Sequence, residues 1–285
     1  MYFPPNFDLN CSIELARLVT QAYDQFDSFQ QGVRWTPKDG YTLVKELSQE
    51  TFAGRIGKTG TQFDVEMRML ERARASVGKA YPIGFIALKG KNIFIIFRGT
   101  VTLEEWVRNL NVRLSGYLVQ DHGKVHDGFL HTYGIIRKRL LEILMQLEPR
   151  NRLYVTGHSL GAALATLALP DIMANTRFKN AVLYTFGSPR VGDREFAQVF
   201  GVMFANRSFR IANTSDVVVS LPLPVPILGI IGGNFTHVDT PVDFTVQEDD
   251  LERNHVIGTY LSALLSAASD RRIMRRIFGQ RRSSR

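Results

Sequence analysis

Short apolar runs and longer amphipathic segments alternate along the chain from Pro82 onward. Runs of β-branched and aromatic residues predict strands, and segments with apolar residues three or four positions apart predict helices. The two apolar runs on either side of Lys89-Gly90-Lys91-Asn92 predict a β-hairpin. The later elements are a helix over 132–147, a strand over 152–156, a helix over 160–169, and strands over 181–186 and 208–213. Strands that alternate with helices need crossover connections, so the pattern predicts an α/β fold with a mostly parallel central sheet and helices on both faces.

The first eighty residues carry a weaker pattern. Apolar residues at helical spacing predict a helix over 12–26, with Asn10 or Ser12 as its N-cap. We expect a loop-rich stretch from there to about Gly60, followed by a helical or irregular segment.

A candidate nucleophile lies between a predicted strand and a predicted helix. The stretch Gly157-His158-Ser159-Leu160-Gly161 fits the pattern G-x-S-x-G, in which a serine is exposed on a tight turn from strand to helix. Glycines two residues before and after the serine leave room for the backbone to double back. The alternative is an inert serine in a glycine-rich connection. The strand and helix on either side favour a nucleophile.

A serine hydroxyl needs a base to take its proton and a carboxylate to orient that base. In hydrolases whose serine lies on such a turn, the acid and then the histidine follow the serine in the chain. Only His237 and His255 follow Ser159. We prefer His255, which precedes a predicted C-terminal helix and so can reach back over the sheet edge. His237 lies in a hydrophobic, strand-like segment, which favours a structural or pocket-lining role.

Two aspartates compete for the role of the acid. Asp216 follows the predicted strand over 208–213, at the carboxyl end where catalytic loops gather in parallel sheets. Asp193 follows the preceding strand, but it is also well placed to cap a helix that starts at Arg194. We therefore assign the acid to Asp216.

Acyl transfer also needs hydrogen-bond donors for the oxyanion of the tetrahedral intermediate. One candidate is the backbone N–H of Leu160, the residue after the serine. The other is Thr100 in the sequence Phe97-Arg98-Gly99-Thr100, because Gly99 allows the backbone to turn and Thr100 offers both an N–H and a hydroxyl.

The net charge of +8 is concentrated at one end of the chain. Residues 270–285 contain seven Arg and one Asp, so they account for +6 of it. As a helix, this tail places its apolar side chains on one arc (Ile273, Met274, Ile277, Phe278) and its arginines on another (Arg271, Arg272, Arg275, Arg276). That arrangement is typical of a surface that contacts anionic membranes. A solvated, partly disordered terminus is nevertheless the first interpretation and membrane contact the second, and no basic patch interleaved with aromatic residues supports nucleic-acid binding.

The remaining composition is that of an ordinary globular chain. The single cysteine, Cys11, excludes an intrachain disulfide and any metal site built from several cysteines, and we expect no cofactor. Neither a recognisable signal peptide nor a transmembrane segment is evident, so we expect a cytoplasmic protein with peripheral membrane contact at most. We divide the chain into one domain over 1–268 and a basic amphipathic tail over 269–285.

Six segments of the sequence resemble the class 3, fungal-type triacylglycerol lipase family of the α/β-hydrolase superfamily. They are IIFRGT at 95–100, VHDGF at 125–129, GHSLGAALA at 157–165, TFGSPRVGD at 185–193, NTSDVVVSLP at 213–222 and NHVIGTYL at 254–261. The order and spacing of these segments are more specific than any one of them. We do not carry secretion over from the secreted members, because we recognise no signal peptide here and the single cysteine allows no intrachain pair.

The resemblance implies a set of roles for residues of this chain. It implies an α/β-hydrolase fold, a triad of Ser159, Asp216 and His255, and an oxyanion hole formed by Thr100 and Leu160. It further implies a mobile lid after Thr100, whose candidate substrate-facing residues are Val101, Leu103, Trp106 and Val107. The implied activity is hydrolysis of acyl esters of glycerolipids through an acyl-enzyme, without a metal. A phospholipase A1 or galactolipase acting on membrane lipids is the runner-up, and an inactive hydrolase-fold binding module is a third reading.

Overall fold

The computed structural model describes residues 1–49, 81–100, 112–149, 152–222 and 234–280. The nine strands in these ranges are β1 (Thr42–Gln49), β2 (Tyr81–Lys89), β3 (Asn92–Phe97), β4 (Leu114–Gly116), β5 (Lys124–His126), β6 (Arg152–His158), β7 (Ala181–Phe186), β8 (Ser208–Asn213) and β9 (Thr240–Phe244). Seven of them form one sheet in the order β1-β2-β3-β6-β7-β8-β9, and β4 pairs with β5. The pairs β1–β2 and β2–β3 are antiparallel, and every pair from β3 to β9 is parallel. The predicted α/β fold with a mostly parallel sheet is confirmed.

Helices cover both faces of this sheet. The described helices are α1 (Leu9–Gln31), α2 (Asp127–Met145), α3 (Leu160–Asn175), α4 (Arg194–Phe204), α5 (Leu251–His255) and α6 (Ile257–Gln280), with a 3-10 helix at Val217–Ser220. Along β3, Ile93, Ile95 and Phe97 pack into one core with α2, α3 and α4. Phe94 and Ile96 face the other way, into a second core with α1 and α6. Side chains of a strand alternate between faces, so a strand that is apolar throughout serves both cores.

The register of the parallel strands sets their carboxyl ends in one row. Phe97 pairs with Gly157, His158 with Phe186, and Phe186 with Ile211. The segments that leave these strands therefore start side by side on one edge of the sheet. They carry four of the five residues assigned to catalysis from the sequence, and the fifth, His255, comes from the end of α5.

Several predicted boundaries need correction. The stretch that we expected to be loop-rich contains β1, which pairs along the edge of β2. The first helix begins at Leu9, because Asp8 caps it by accepting hydrogen bonds from the N–H groups of Asn10 and Cys11. The helix predicted over 132–147 begins at Asp127, and the side chain of His126 accepts a hydrogen bond from the N–H of Phe129.

The C-terminal helix continues past the position at which we divided the chain. α6 runs from Ile257 to Gln280, so residues 268 and 269 lie within one helix. None of the helices in the described ranges combines the length and the hydropathy that crossing a bilayer requires.

A buried carboxylate holds α2 against α3. Asp171 on α3 is fully buried and accepts hydrogen bonds from Arg137 Nε and Nη2, both at 2.8 Å, from the Tyr133 hydroxyl at 2.7 Å and from Asn175 Nδ2 at 2.8 Å. A buried carboxylate is tolerated when its oxygens are satisfied in this way. The contact fixes the helix that follows Ser159.

Replacing Asp171 should destabilise the fold. Asp171→Ala leaves the buried Tyr133 hydroxyl and the half-buried Arg137 without this partner, and we expect a loss of about 3 kcal/mol in unfolding free energy. Glu142→Ala is the matched control, because its pair with Arg139 lies on the surface at 3.6 Å, where such a pair contributes about 0.5 kcal/mol. Urea unfolding measures both, and equal losses in the two variants would contradict this role for Asp171.

Candidate active site

Ser159 alone connects β6 to α3. β6 ends at His158 and α3 begins at Leu160, so the whole turn is made at one residue. The backbone of Ser159 has φ 58° and ψ −127°, a conformation that costs an L-residue free energy and marks a strained turn. The prediction of a sharp turn between a strand and a helix at this serine is confirmed.

The neighbouring glycines allow β6 and α3 to meet so closely. A Cβ added at Gly157 would lie 2.2 Å from the carbonyl oxygen of Gly161, and one added at Gly161 would lie 2.4 Å from that of Phe97. Both distances are far below a van der Waals contact, and the obstacle in each case is backbone. Any larger residue at either position would push the serine out of place.

The first turn of α3 supplies one candidate oxyanion donor. Leu160 is the first residue of this helix, where a backbone N–H has no partner within the helix. The carbonyl of Ser159 already accepts hydrogen bonds from the N–H groups of Ala162 and Ala163. The N–H of Ser159 itself donates to the carbonyl of Phe186 at 3.0 Å, so the N–H of Leu160 is the next donor along the chain.

Thr100 lies beside the same turn. A Cβ built on the preceding residue, Gly99, would lie 2.8 Å from the Cβ of Ser159, so this loop passes directly next to the serine. Thr100 is half-buried and lines the same cavity as His255. The structure thus brings both predicted oxyanion residues to the serine.

Asp216 and His255 are joined by a short hydrogen bond. The Nδ1 of His255 lies 2.6 Å from Oδ2 of Asp216, and both side chains are buried. The hydroxyl of Tyr260 donates to the same carboxylate oxygen at 2.5 Å, and the N–H of Val218 donates to Oδ1 at 2.9 Å. These contacts hold the carboxylate in the orientation that places the Nδ1 proton of His255 between the two residues.

Asn213, at the end of β8, ties the aspartate loop to the histidine loop. Its Nδ2 donates to the carbonyls of Val246 and Asn254 at 2.9 and 3.0 Å, and its Oδ1 accepts from the N–H groups of Ser215 and Val246 at 3.3 and 2.9 Å. Asn254 immediately precedes His255, so one side chain fixes both members of the pair. Burial raises the pKa of Tyr260 well above its usual value, and this keeps its hydroxyl protonated as a donor.

The serine and the histidine each present a buried polar atom without a partner. Neither Ser159 Oγ nor His255 Nε2 makes a hydrogen bond within the part of the chain that the structure describes. Such atoms are rare in folded proteins and call for an explanation. In a catalytic pair, the bond between base and nucleophile is often long before substrate binds.

A cavity of about 290 Å³ opens beside His255. Its described lining comprises Tyr23, Asp27, Thr100, His158, Glu252, His255, Val256 and Ile257. Larger grooves of about 570 and 1030 Å³ lie elsewhere, and the described residues that line them include none of the residues assigned to catalysis. In the described ranges, no group of three or more His, Cys, Asp and Glu side chains is arranged to hold a metal ion.

His237 and Asp193, the alternative candidates for the base and the acid, make contacts elsewhere. Nε2 of His237 lies 2.7 Å from the carbonyl of Val219, and burial followed by the nearby Arg210 charge lowers the pKa of His237 to about 3. His237 lies in an irregular segment with a single bridge at Thr236, so the strand-like environment that we expected for it is wrong. Asp193 caps α4, because its Oδ1 accepts from the N–H of Phe196 at 2.8 Å.

The predicted lid lies outside the described residues. Val101, Leu103, Trp106 and Val107 all fall in the range 101–111, which the structure does not describe. Two supporting residues, Tyr260 and Asn213, were not singled out from the sequence. Both fall within the resembling segments NHVIGTYL and NTSDVVVSLP, so their presence there was the available signal.

Comparison with known proteins finds lipases and a phospholipase that are similar to this chain. A sequence model of the family described as "Lipase (class 3)" matches residues 94–225. The lipase of Rhizomucor miehei is 37% identical over 138 residues, which cover 46% of this chain and 38% of that protein. The chloroplastic phospholipase A(1) DAD1 of Arabidopsis thaliana is 35% identical over 220 residues, which cover 65% of this chain and 46% of that protein. The chain thus spans less than half of each of these two relatives.

A solved structure extends the likeness to the whole fold. It is a triacylglycerol lipase described as having a serine protease triad as its catalytic centre. The TM-score is 0.60 at 25% sequence identity, and the superposition covers 82% of this chain and 80% of that one. The chain has the α/β-hydrolase fold.

Replacing His237 should change how the free energy of unfolding depends on pH. Because its pKa is about 3 in the folded chain and 6.5 in a free histidine, the unfolded chain binds a proton below pH 6.5 that the folded chain does not. Stability therefore falls as the pH decreases. His237→Gln keeps an N–H for Val219 but does not titrate, so between pH 6.5 and pH 4.5 we expect it to lose about 2 kcal/mol less unfolding free energy than the wild type.

The comparison must be made between variant and wild type at each pH. Burial raises the pKa of Asp239 to about 7, and a raised carboxyl pKa stabilises the fold as the pH falls, which opposes the effect of His237. Urea unfolding of both proteins at the two pH values isolates the histidine. If the two proteins lost the same unfolding free energy between pH 6.5 and pH 4.5, the lowered pKa of His237 would be contradicted.

Proposed function

Because the chain belongs to the class 3 lipase family, we propose that it is a serine carboxylic-ester hydrolase that cleaves acyl esters of glycerolipids. The observation that carries the proposal is the 2.6 Å bond between His255 and Asp216 at the edge of the sheet where Ser159 makes its strained turn. A base oriented by a carboxylate beside a serine on such a turn is the arrangement that activates a hydroxyl for acyl transfer.

Each residue has one task in this reaction. Oγ of Ser159 attacks the carbonyl carbon of the ester while Nε2 of His255 takes the hydroxyl proton. The N–H of Leu160 and the donors of Thr100 stabilise the oxyanion that forms, and one such donor lowers the barrier by about 3 kcal/mol. The intermediate collapses, the bond to the alcohol breaks, and His255 returns the proton to the departing oxygen.

A water molecule completes the cycle. His255 takes a proton from this water as its oxygen attacks the acyl-enzyme, and the proton then passes to Oγ of Ser159 as the fatty acid leaves. Asp216 stays ionised throughout and stabilises the charge on the imidazole. The hydrogen bonds from His255, Tyr260 and Val218 hold the carboxylate of Asp216 in place, because all three donors point at its oxygens.

Phospholipase A1 activity is the second candidate. Its support is the match to the Arabidopsis phospholipase A(1), which covers more of this chain than the match to the Rhizomucor lipase does. The two candidates share the acyl-transfer machinery and differ in the headgroup of the lipid.

The C-terminal tail supports membrane contact. Residues 270–285 carry seven Arg and one Asp, and the helix α6 continues to Gln280. Within the described side chains, the Arg271 guanidinium lies 4.0 Å from the centre of the Phe3 ring, and Arg272 is exposed. Each basic residue near an anionic lipid surface contributes about 1 kcal/mol. We propose that this tail binds anionic lipid at a membrane surface.

Removing the nucleophile or the base should abolish ester hydrolysis. We expect Ser159→Ala and His255→Ala each to reduce turnover of p-nitrophenyl esters by at least about a thousandfold. His237→Gln should keep wild-type turnover, because this histidine is bonded to Val219 rather than to Asp216. The same assay with triacylglycerol and phosphatidylcholine shows which headgroup the wild type accepts. Full activity in His255→Ala together with its loss in His237→Gln would reverse the assignment of the base.

Removing the tail should weaken binding to anionic vesicles. For a chain truncated after Ser269, we expect at least about a tenfold loss of binding to phosphatidylglycerol vesicles at low salt. High salt should release the full-length chain by screening the charges. Hydrolysis of a soluble short-chain ester is the control and should not change. Equal vesicle binding by the two chains at low salt would remove the proposed contact.

A further inference from the structure

One chain of hydrogen bonds joins three catalytic segments. The N–H of Gly99, next to Thr100, donates to the hydroxyl oxygen of Tyr23 at 3.0 Å. This hydroxyl lies 2.8 Å from Nδ1 of His158, and Nε2 of His158 lies 2.6 Å from the backbone carbonyl of His255. This chain of hydrogen bonds thus starts at the oxyanion loop, Gly99-Thr100, and passes through Tyr23 on α1 and His158. It ends at the backbone of His255.

The direction of each bond follows from the chemistry of its ends. A carbonyl only accepts, so Nε2 of His158 carries the proton that bonds to His255. A neutral imidazole then has a lone pair at Nδ1, which accepts the proton of the Tyr23 hydroxyl. His158 is therefore neutral with its proton on Nε2. Burial, and then the proximity of His255, lower the pKa of His158 well below its usual value, which agrees with this state.

The neutral state matters because of what lies beside it. The rings of His158 and His255 are 4.5 Å apart between centroids. During acyl transfer His255 becomes an imidazolium, and a second cation at this distance would oppose that step. The bond from Tyr23 occupies the one nitrogen of His158 that is able to take a further proton.

The same bonds fix positions as well as charge. The His255 ring is anchored on one side through Asp216, and its backbone is anchored on the other through His158. The hydrogen bond between Gly99 and Tyr23 leaves no free space, because a Cβ added at Gly99 would lie 2.4 Å from the Tyr23 hydroxyl oxygen. Small displacements of a reacting group, of the order of 1 Å, reduce rates by up to about a hundredfold.

We propose that Tyr23 and His158 are positioning residues for acyl transfer, which hold the base and the oxyanion loop in register and keep the imidazole next to the base uncharged. This role rests on the proposed ester hydrolysis. The alternative is that Tyr23 and His158 serve only as packing residues. The Tyr23 ring lies edge-on to His158 at 5.9 Å, and His158 lies edge-on to Tyr260 at 5.8 Å. Phenylalanine in place of Tyr23 retains that packing and removes only the hydroxyl.

Tyr23→Phe is the central test. We expect kcat per active site to fall by about tenfold or more while KM stays within about twofold, because the ring that lines the cavity is unchanged. Titration with a fluorophosphonate that labels Ser159 counts the active sites in each preparation. Tyr184→Phe is the matched control: it also removes a tyrosine hydroxyl that accepts a hydrogen bond from a backbone N–H, that of Asp8 at 3.1 Å, and it should leave kcat per active site unchanged because Tyr184 contacts none of the residues assigned to catalysis.

Two substitutions of His158 separate the links of the chain. Gln places an N–H near the position of Nε2, so His158→Gln keeps the bond to the His255 carbonyl. Asn places an oxygen near the position of Nδ1, so His158→Asn keeps only the bond from Tyr23. We expect His158→Gln to retain several times the kcat of His158→Asn. Removing the Tyr23 hydroxyl should have a smaller further effect in His158→Asn than in the wild type, because the chain is already broken.

NMR of the imidazole nitrogens tests the arrangement without any substrate. In the wild type, we expect the His158 signals of a neutral ring protonated at Nε2 down to a pH well below 6.5, the ordinary value, and in Tyr23→Phe we expect protonation at higher pH. A wild-type chain that shows this tautomer but hydrolyses no ester would remove the proposed function alone. A His158 protonated at Nδ1, or an unchanged kcat per active site in Tyr23→Phe, would overturn the positioning role.

Discussion

The site depends on a single strained residue between two elements that almost touch. Ser159 turns the chain from β6 into α3 with a positive φ, and the backbones around Gly157 and Gly161 leave no room for a side chain. This strain persists only because the surrounding structure is rigid. The parallel sheet holds β6 on both sides, and the Asp171 cluster holds the far end of α3. The nucleophile is therefore positioned by packing that lies well away from it.

His255, the proposed base, is held in a different way, through hydrogen bonds between loops. Asn213 bonds to the segments around Val246 and Asn254, Tyr260 bonds to Asp216, and His158 bonds to the backbone of His255. In a buried setting these bonds are strong, and leaving any of their partners unpaired is costly. A rigid Ser159 and a His255 fixed by several buried bonds together give the preorganised geometry that the proposed acyl transfer requires.

The sequence predicted the parts of this site that follow local rules. Ser159 and its glycines form a short motif, Asp216 follows a strand whose end faces the site, and Leu160 follows the serine. Other features depend on contacts between distant segments. Tyr23 lies on α1 with no local signal, although it reaches His158 across the fold. β1 was missed because its mixed polar and apolar residues become a strand only by pairing along β2. The N-cap of α1 was misplaced because Asp8 precedes the apolar pattern that defines the helix.

The second core, formed by α1 and α6 on one face of the sheet, determines how much of the chain is needed to build the proposed site. The segment 94–225 that the family model matches contains Ser159, Asp216 and both proposed oxyanion residues, Thr100 and Leu160. His255 comes from a later segment, just before α6. Tyr23, which contacts His158, comes from an earlier one, on α1. The smallest piece of this chain that is able to hold every residue of the proposed site therefore runs from α1 to α6, and the matched segment on its own would contain Ser159 without His255.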